Sequence, residues 1–239
     1  MQDESATRPR VVCVHGAGAG GWEWGIWARV LGAHGFDVLA PDLMPCDAGL
    51  AATRFDDYRA QVLNWCRGAG PRPILVGASL GGLLALACAK AADASAVVLV
   101  NPVPPAGGPS LPRMGPYAAV VPWGSRRSLA GTRRAMPDAD DAARMLAFRR
   151  WRDESGAVLE AARAGMAIET PACSILVLAG ELDAEVPAAV SRALADRLGA
   201  DFERIGNAGH VDPLLGREAA RIAMRVTDWL RTRLAAPAV

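Results

Sequence analysis

The chain has 239 residues, with 26 lysines and arginines against 25 aspartates and glutamates. A formal net charge of +1 leaves no basic excess for a nucleic-acid partner, and no apolar run reaches the roughly 20 residues needed to cross a bilayer. The start of the chain, which carries Asp3 and Glu4, lacks the basic and apolar segments of a secretory signal, so we expect a cytoplasmic protein with no membrane partner.

Short apolar runs alternate with helical segments along most of the chain. The runs predict six strands, at 11–15, 36–40, 73–78, 96–101, 174–179 and 201–205. Helical spacing of apolar residues follows at 24–34, 55–69, 80–91, 187–198 and 217–234. Because each crossover returns the chain to the same end of the sheet, we expect an α/β fold with a mostly parallel sheet of about six strands flanked by helices.

Residues 102–170, here called the insert, interrupt the alternation after the fourth strand. The insert is rich in Pro and Gly at first and has a helical pattern from about 138 to 165, which predicts a helical lid on a core formed by residues 1–101 and 171–239. Six side chains are predicted to line a substrate pocket, with core packing as the alternative: Trp22, Tyr117, Trp123, Phe148, Trp151 and Val186.

Arginines of the insert outnumber its acidic residues. We expect most of them to be solvated, with the alternative that one or two bind a carboxylate or a carrier-bound phosphate of the substrate. These arginines are Arg113, Arg126, Arg127, Arg133, Arg134, Arg149, Arg150 and Arg152.

The candidate nucleophile is Ser79, in the sequence Gly77-Ala78-Ser79-Leu80-Gly81 between a predicted strand and a predicted helix. Small residues on either side allow a sharp, strained turn that exposes the serine hydroxyl above the sheet. Taken alone, a glycine-rich loop before a helix could also bind a phosphate.

A serine nucleophile needs a base, and the chain has three histidines. His210 follows the last predicted strand, where a loop can carry it over Ser79. His15 precedes a glycine-rich loop and is expected to support it, whereas His34 ends a helix near the opposite edge. We therefore predict that His210 is the base and that it titrates in the mildly acidic range.

The base in turn needs a carboxylate that orients it. Asp183 lies three residues after Gly180, which ends a buried predicted strand, and it gives the chain order serine, aspartate, histidine. The competing position, at the end of the strand before the insert, holds Asn101, which has no carboxylate.

A tetrahedral intermediate also needs two backbone N–H donors for its oxyanion. The amide of Leu80, directly after the candidate nucleophile, is one, and Ala17 in the loop 16–21 is the predicted second. The alternative for this loop, a dinucleotide site with Asp42 as its acidic residue, matches only part of the known pattern.

Four motifs resemble the α/β-hydrolase superfamily in order and spacing. They are His15-Gly16 with Trp22 and Trp24, Gly77-Ala78-Ser79-Leu80-Gly81-Gly82, Gly180-Glu181-Leu182-Asp183 with Val186-Pro187, and Gly209-His210. The stretch HGAGAGGWEW is similar to that of small esterases, including plant methylesterases and their bacterial relatives. The chain departs from the family's pattern where it begins directly with the strand before the oxyanion loop, and where Met44-Pro45-Cys46-Asp47 replaces the usual Gly-His-Gly.

The resemblance implies a serine hydrolase that cleaves an ester or thioester of a small to medium apolar metabolite through an acyl-enzyme on Ser79. The cysteines are scattered without metal-ligand spacing, so we expect neither metal nor cofactor, and a monomer or homodimer. Two alternatives stay open: a lyase or cyclase of small-metabolite biosynthesis in which His210 moves a proton, and a non-catalytic ligand receptor.

Overall fold

The computed structural model describes residues 8–108, 111 and 116–235. Eight strands lie within them: β1 (Arg10–Val14), β2 (Asp37–Leu39), β3 (Ile74–Ala78), β4 (Ala96–Val100), β5 (Val120–Val121), β6 (Glu154–Ser155), β7 (Ser174–Gly180) and β8 (Asp201–Ile205). Six of them form one sheet in the order β2-β1-β3-β4-β7-β8, and every neighbouring pair is parallel. The predicted six-stranded parallel sheet is confirmed.

The central strands are buried on both faces, which explains their unbroken apolar sequences. Every residue of β3 and β4 is buried. Side chains that alternate along these strands belong to two separate apolar clusters, one on each face of the sheet. Such two-sided burial is what a parallel sheet covered by helices requires.

Nine helices follow in the same residues: α1 (Gly25–Ala33), α2 (Phe55–Gly68), α3 (Leu80–Ala89), α4 (Leu129–Ala135), α5 (Asp141–Arg150), α6 (Gly156–Ala164), α7 (Ala188–Leu198), α8 (Asp212–Leu215) and α9 (Ala219–Ala235). A short 3-10 helix, Gly21–Trp24, precedes α1. Buried residues of α1 and α9 pack on one face of the sheet, and those of α2, α3, α6 and α7 pack on the other.

The insert differs from the single helical stretch predicted at 138–165. It has three helices, α4, α5 and α6, and its strands β5 and β6 pair antiparallel. Each helix begins at a side chain that accepts a backbone N–H bond, namely Ser128, Asp140 and Ser155. Residues 109, 110 and 112–115, and with them Arg113, lie outside the described residues.

In the described residues, no helix combines the length and apolar character needed to cross a membrane. The same residues contain no group of three or more His, Cys, Asp or Glu side chains that could hold a metal ion.

Candidate active site

Ser79 lies between β3 and α3 in a strained conformation. Its φ of 52° and ψ of −118° are sterically unfavourable for a residue with a Cβ atom. The turn is possible because its neighbours lack side chains: a Cβ on Gly77 would lie 2.1 Å from Gly81 O, and one on Gly81 would lie 2.1 Å from Val14 O. The sequence Gly77-x-Ser79-x-Gly81 therefore forms the tight strand–turn–helix junction that it predicts.

Backbone hydrogen bonds fix this turn to the adjacent strand. Ser79 N donates to Val100 O at the end of β4 (2.9 Å), and Ser79 O accepts from Gly82 N (3.0 Å) and Val103 N (3.1 Å). With a fourth bond from Leu83 N to Ser79 O (3.3 Å), the strained serine is held at the carboxyl edge of the sheet, the edge where ligands of parallel sheets bind.

His210 and Asp183 come together at the same edge. His210 Nδ1 donates to Asp183 Oδ2 across 2.7 Å, and both side chains are almost fully buried. Asp183 Oδ1 accepts the amides of Glu185 (2.8 Å) and Val186 (2.9 Å). A carboxylate fixed in this way binds the proton on Nδ1 and leaves Nε2 as the nitrogen that can exchange a proton.

Asn101 supports the histidine loop. The sequence analysis considered this residue only as a possible acid and therefore missed that role. Its Oδ1 accepts from Gly180 N (2.7 Å) and its Nδ2 donates to His210 O (2.7 Å). Since Val100 receives the amide of Ser79, two consecutive residues at the end of β4 connect the serine turn and the histidine loop. Asp212 is a second residue that supports this loop and that the sequence did not reveal. It is buried, and its Oδ2 accepts from Gly209 N (2.7 Å).

The electrostatic surroundings of His210 contradict the expected mildly acidic titration. Burial by itself favours the neutral imidazole, but the charges of Glu185, Asp183 and Glu23 and the bond to Asp183 together raise the pKa of His210 to about 9. Glu185 Oε2 lies 3.6 Å from Nε2, and within the described residues no hydrogen bond joins Nε2 to the Ser79 hydroxyl. These charges favour the protonated imidazole, with Nε2 facing a second carboxylate.

Glu23 is a further acidic group that the sequence analysis missed. It is only 2% exposed and its Oε1 accepts from Gly16 N at 2.8 Å. Burial raises the pKa of Glu23 to about 7, although the Gly16 bond and the charges of His210 and Arg152 act in the opposite direction. One sequence signal was present, since this carboxylate lies between two tryptophans in an apolar stretch.

In the predicted oxyanion loop, residues 16–21, four of the six amides have partners, and three of these partners are side chains outside the loop. Gly16 N and Gly18 N bind carboxylates, Ala19 N donates to Gly16 O (3.2 Å), and Gly21 N donates to Asp42 Oδ1 (2.7 Å). The Ala17 amide has no partner in the part of the chain that the structure describes, and neither has Leu80 N at the start of α3. The two predicted oxyanion donors are therefore free to bind a ligand atom.

His15 supports the loop from below. It is 1% exposed, its Nδ1 donates to Gly16 O (2.8 Å), and its Nε2 accepts from Leu43 N (2.8 Å). Burial lowers the pKa of His15 to about 4, so this ring stays neutral. Asp42, considered above for a nucleotide, instead accepts from Gly21 N and pairs with Arg152 at 3.4 Å.

The six predicted pocket residues lie in different surroundings. Trp123, 39% exposed, covers the oxyanion loop, since a Cβ on Gly18 would lie 2.8 Å from its ring. Trp22 and Trp151 pack edge to face at 5.5 Å. Arg127 lies over Phe148 and Arg163 over Tyr117, whereas Val186 is buried and donates its amide to Asp183 Oδ1.

A cavity of about 340 Å³ lies between the insert and the loop after β2. Leu43, Tyr58, Trp151, Arg152 and Glu154 are among its lining residues, and neither Ser79 nor His210 is. Arg152 is no solvated surface residue: its side chain donates to Ala19 O (2.6 Å) and Leu43 O (3.3 Å).

No curated protein sequence matches the chain. Among solved structures it is similar to a monoacylglycerol lipase from Paleococcus ferrophilus, with 22% identity, a TM-score of 0.72, and coverage of 95% of this chain and 96% of that chain. Polyneuridine aldehyde esterase is 18% identical, with a TM-score of 0.69 over 92% of this chain and 100% of that chain. Tomato methylketone synthase I in complex with 2-tridecanone is 15% identical, with a TM-score of 0.74 over 95% of this chain and 99% of that chain.

A model of the alpha/beta hydrolase family matches residues 11–225, which is most of the chain. The solved structures are too distant in sequence to show more than the fold they share with this protein. The family match confirms the resemblance drawn from the four motifs, and the chain belongs to the alpha/beta hydrolase family.

Proposed function

We propose that the protein is a serine hydrolase that cleaves an ester or thioester through an acyl-enzyme on Ser79. One observation carries the proposal: the strained Ser79 stands at the carboxyl edge of the sheet next to Leu80 N, an amide without a partner in the described residues. A fixed serine beside an open backbone donor is what acyl transfer requires. The His210–Asp183 bond supplies a base with the correct tautomer.

In the proposed reaction, Ser79 Oγ attacks the substrate carbonyl carbon and its proton passes to His210 Nε2. The carbonyl oxygen becomes an oxyanion that accepts from the amides of Ala17 and Leu80. When the C–O or C–S bond breaks, the imidazolium returns its proton to the leaving group. Water, deprotonated by His210, then attacks the acyl-enzyme and releases the acid and Ser79.

Nε2 must leave Glu185 before it can take the serine proton. Glu185 Oε2 is 3.6 Å away and its side chain is 61% exposed, so the carboxylate can swing into solvent at little cost. A substrate that enters over His210 would displace Glu185 and free the base for Ser79.

The proposed substrate is a small to medium apolar ester, either free or carrier-bound, acted on by a monomer or homodimer without cofactor. Two similar structures are those of a monoacylglycerol lipase and an aldehyde esterase, which supports ester cleavage. The motif HGAGAGGWEW and the likeness to polyneuridine aldehyde esterase favour the methylesterase-like branch. The exposed Trp123 ring above the oxyanion loop is suited to an apolar group.

A second function on the same site is proton transfer in a lyase or cyclase. The buried Glu23, whose pKa is raised to about 7 by burial, is a further group near His210 that can hold or release a proton near neutral pH. Similarity to methylketone synthase I also favours this alternative. Here His210 would move the proton and Ser79 would assist by a hydrogen bond.

Fluorophosphonate labelling followed by mass spectrometry tests the hydrolase. We expect one adduct, on Ser79, and a fall in kcat of roughly 10³-fold or more in Ser79→Ala on a p-nitrophenyl ester. Ser95→Ala, at the opposite end of β4, is the matched control and should keep full activity. An adduct elsewhere, or a fully active Ser79→Ala enzyme, would refute acyl transfer, and slow ester turnover in the wild type would favour the alternative.

A further inference from the structure

Two buried carboxylates flank the one amide of residues 16–19 that has no partner within the described residues. Glu23 Oε1 accepts from Gly16 N (2.8 Å), and Glu154 Oε2 accepts from Gly18 N (2.9 Å). Ala17 lies between these two glycines and its amide is open. The carboxylates are 2% and 4% exposed, so bulk water cannot easily replace either of them.

The two carboxylates come from distant parts of the chain. Glu23 belongs to the 3-10 helix that follows the loop, while Glu154 lies in β6 of the insert, 136 residues from Gly18. Glu154 is itself fixed, since its Oε1 accepts from Tyr58 Oη (2.8 Å) and Ser155 N (2.8 Å). The anchor on Gly18 is therefore part of a hydrogen-bonded network and not a single surface contact.

We propose that Glu23 and Glu154 are positioning residues that aim the Ala17 amide at the oxyanion formed on attack by Ser79. This inference rests on the proposed acyl transfer. The peptide plane that carries the Ala17 N–H is held at Gly16 O by His15 Nδ1 and Ala19 N, and the two carboxylates fix the peptide planes on either side of it, at glycines with wide backbone freedom. An oxyanion donor contributes to the rate only when it is oriented in advance, since otherwise its reorganisation is added to the barrier.

The insert binds the loop through acceptors as well as donors. Arg152 N donates to Gly18 O (2.7 Å), Arg152 Nε donates to Ala19 O (2.6 Å), and the Trp123 ring packs on Gly18. Gly18 is held by Glu154 through its N–H and by Arg152 through its carbonyl, and both residues belong to one short segment of the insert. The position of the insert is therefore coupled to the geometry of the oxyanion hole.

A carboxylate near an oxyanion would repel it if it stayed charged. Burial raises the pKa of Glu23 to about 7, while the charges of Arg152 and His210 act in the opposite direction, so a charge on Glu23 is partly offset by the guanidinium and by the imidazolium that forms together with the oxyanion. Glu154 Oε1 accepts from Tyr58 Oη and Ser155 N, and these two donors stabilise its charge. Each carboxylate that holds the loop is therefore partly compensated by nearby donors or cations.

The test compares Glu23→Ala and Glu154→Ala with the glutamine variants at the same positions. For an activated ester, we expect each alanine variant to lower kcat by about 10- to 100-fold at nearly constant KM, since complete loss of an oxyanion donor costs 10²–10³-fold. A trifluoromethyl ketone, whose adduct with Ser79 carries the same oxyanion, should lose affinity by the same factor. Glu23→Gln should recover most of the loss and Glu154→Gln part of it, because a glutamine oxygen replaces one acceptor but its NH₂ group opposes Ser155 N.

Asp140→Ala is the matched control. Asp140 also lies in the insert, and its carboxylate accepts a backbone amide, Ala143 N at 2.7 Å, far from the loop in sequence. Should this variant lower kcat and the ketone affinity as much as Glu154→Ala does, or should the glutamine variants be as impaired as the alanine ones, the positioning role is refuted. Unchanged kcat and ketone affinity in the alanine variants would refute it as well.

Two further measurements separate this inference from the proposed function and from misfolding. If wild-type Ser79 takes up neither fluorophosphonate nor ketone, acyl transfer itself fails and the inference falls with it. If Ser79 reacts normally in every variant, only the positioning role fails. Hydrogen exchange of the peptide containing residues 16–21 is independent of catalysis: it should be faster in Glu154→Ala than in wild type or Asp140→Ala, and equal exchange would contradict the anchoring.

Discussion

His210, the proposed base, directs Nε2 toward the carboxylate of Glu185, with Nε2 and Oε2 3.6 Å apart. Asp183 already binds Nδ1 at 2.7 Å, so the imidazole lies between two acids. A protonated ring satisfies both contacts, which agrees with a pKa raised to about 9 by Glu185, Asp183 and Glu23 against the effect of burial. This arrangement favours the protonated imidazole, which cannot accept a proton from serine.

The first prediction concerns pH dependence. Only neutral imidazole accepts the serine proton, so kcat/KM should be low below the pKa of His210 and rise as pH passes through about 9. Glu185→Gln removes a nearby negative charge, and the rise should move to lower pH, toward the ordinary histidine value of about 6.5. A pH–rate profile and an NMR titration of the imidazole measure the shift.

Glu181→Gln is the control for this shift. Glu181 lies on the same loop but is exposed and pairs with Arg204 at 3.5 Å, so its loss should leave the profile in place. Because Glu185 is 61% exposed, 1 M salt should also move the wild-type profile toward acid. Identical profiles for wild type and Glu185→Gln would show that Glu185 does not bind His210 in solution.

The second prediction separates orientation from stability at Asp183. Asp183→Asn can keep an oxygen toward the amides of Glu185 and Val186, but its NH₂ group would then face Nδ1 and favour the wrong histidine tautomer. We expect kcat to fall by about three to four decades with little change in Tm. Near-normal activity in this variant would mean that another carboxylate, such as Glu185, orients the base.

The sheet could be predicted because its short apolar runs are compatible with few other structures. VVCV, ILVGA and AVVLV are buried throughout, and such runs are stable only as interior strands or helices, of which their length and β-branched residues favour strands. Ser79 and His210 were predictable for the same reason, since glycine spacing and strand ends fix their places. These features depend on residues close together in the chain.

The parts that could not be predicted depend on contacts between distant residues. The predicted helix at 138–165 is broken at 151–155, where Arg152 N bonds Gly18 O and Glu154 bonds Gly18 N and Tyr58 Oη. The cap residue Ser155 is the local sign of a new helix, but the sequence around it does not show which distant residues this segment contacts. The pKa of His210 likewise reflects Glu23 and Glu185, whose proximity arises only when the loops after β1 and β7 meet at one edge.

The third prediction concerns Asn101, which connects β7 to the histidine loop. Asn101→Ala leaves Gly180 N and His210 O without their buried partner, and we expect a loss of about 2–4 kcal/mol in the free energy of unfolding. The variant should also lower kcat, since the carbonyl of the base loses its fixed position. Urea denaturation and steady-state kinetics measure the two effects.

Asn207→Ala controls for backbone strain in that experiment. Asn207 has a left-handed φ of 57°, close to the 46° of Asn101, but it is exposed. Its replacement should lower the free energy of unfolding by about 1–2 kcal/mol, which is the cost of the left-handed backbone conformation alone, and should leave kcat unchanged. Equal losses of stability in the two variants would show that the hydrogen bonds of Asn101 contribute nothing beyond conformation.

The last prediction tests why the serine turn needs glycine. A Cβ on Gly81 would lie 2.1 Å from Val14 O and 2.4 Å from His15 O, and these are backbone atoms of the central strand and of the oxyanion loop's support. Gly81→Ala must therefore push α3 away from β1, with an expected loss of about 3 kcal/mol or more. Gly32→Ala meets nothing within 4 Å and lies inside α1, so it should instead stabilise the protein by about 0.5–1 kcal/mol. Thermal and urea unfolding of the two variants should show changes of opposite sign in the free energy of unfolding. A Gly81→Ala protein as stable as wild type would contradict the close approach of α3 and β1 on which the strained Ser79 depends.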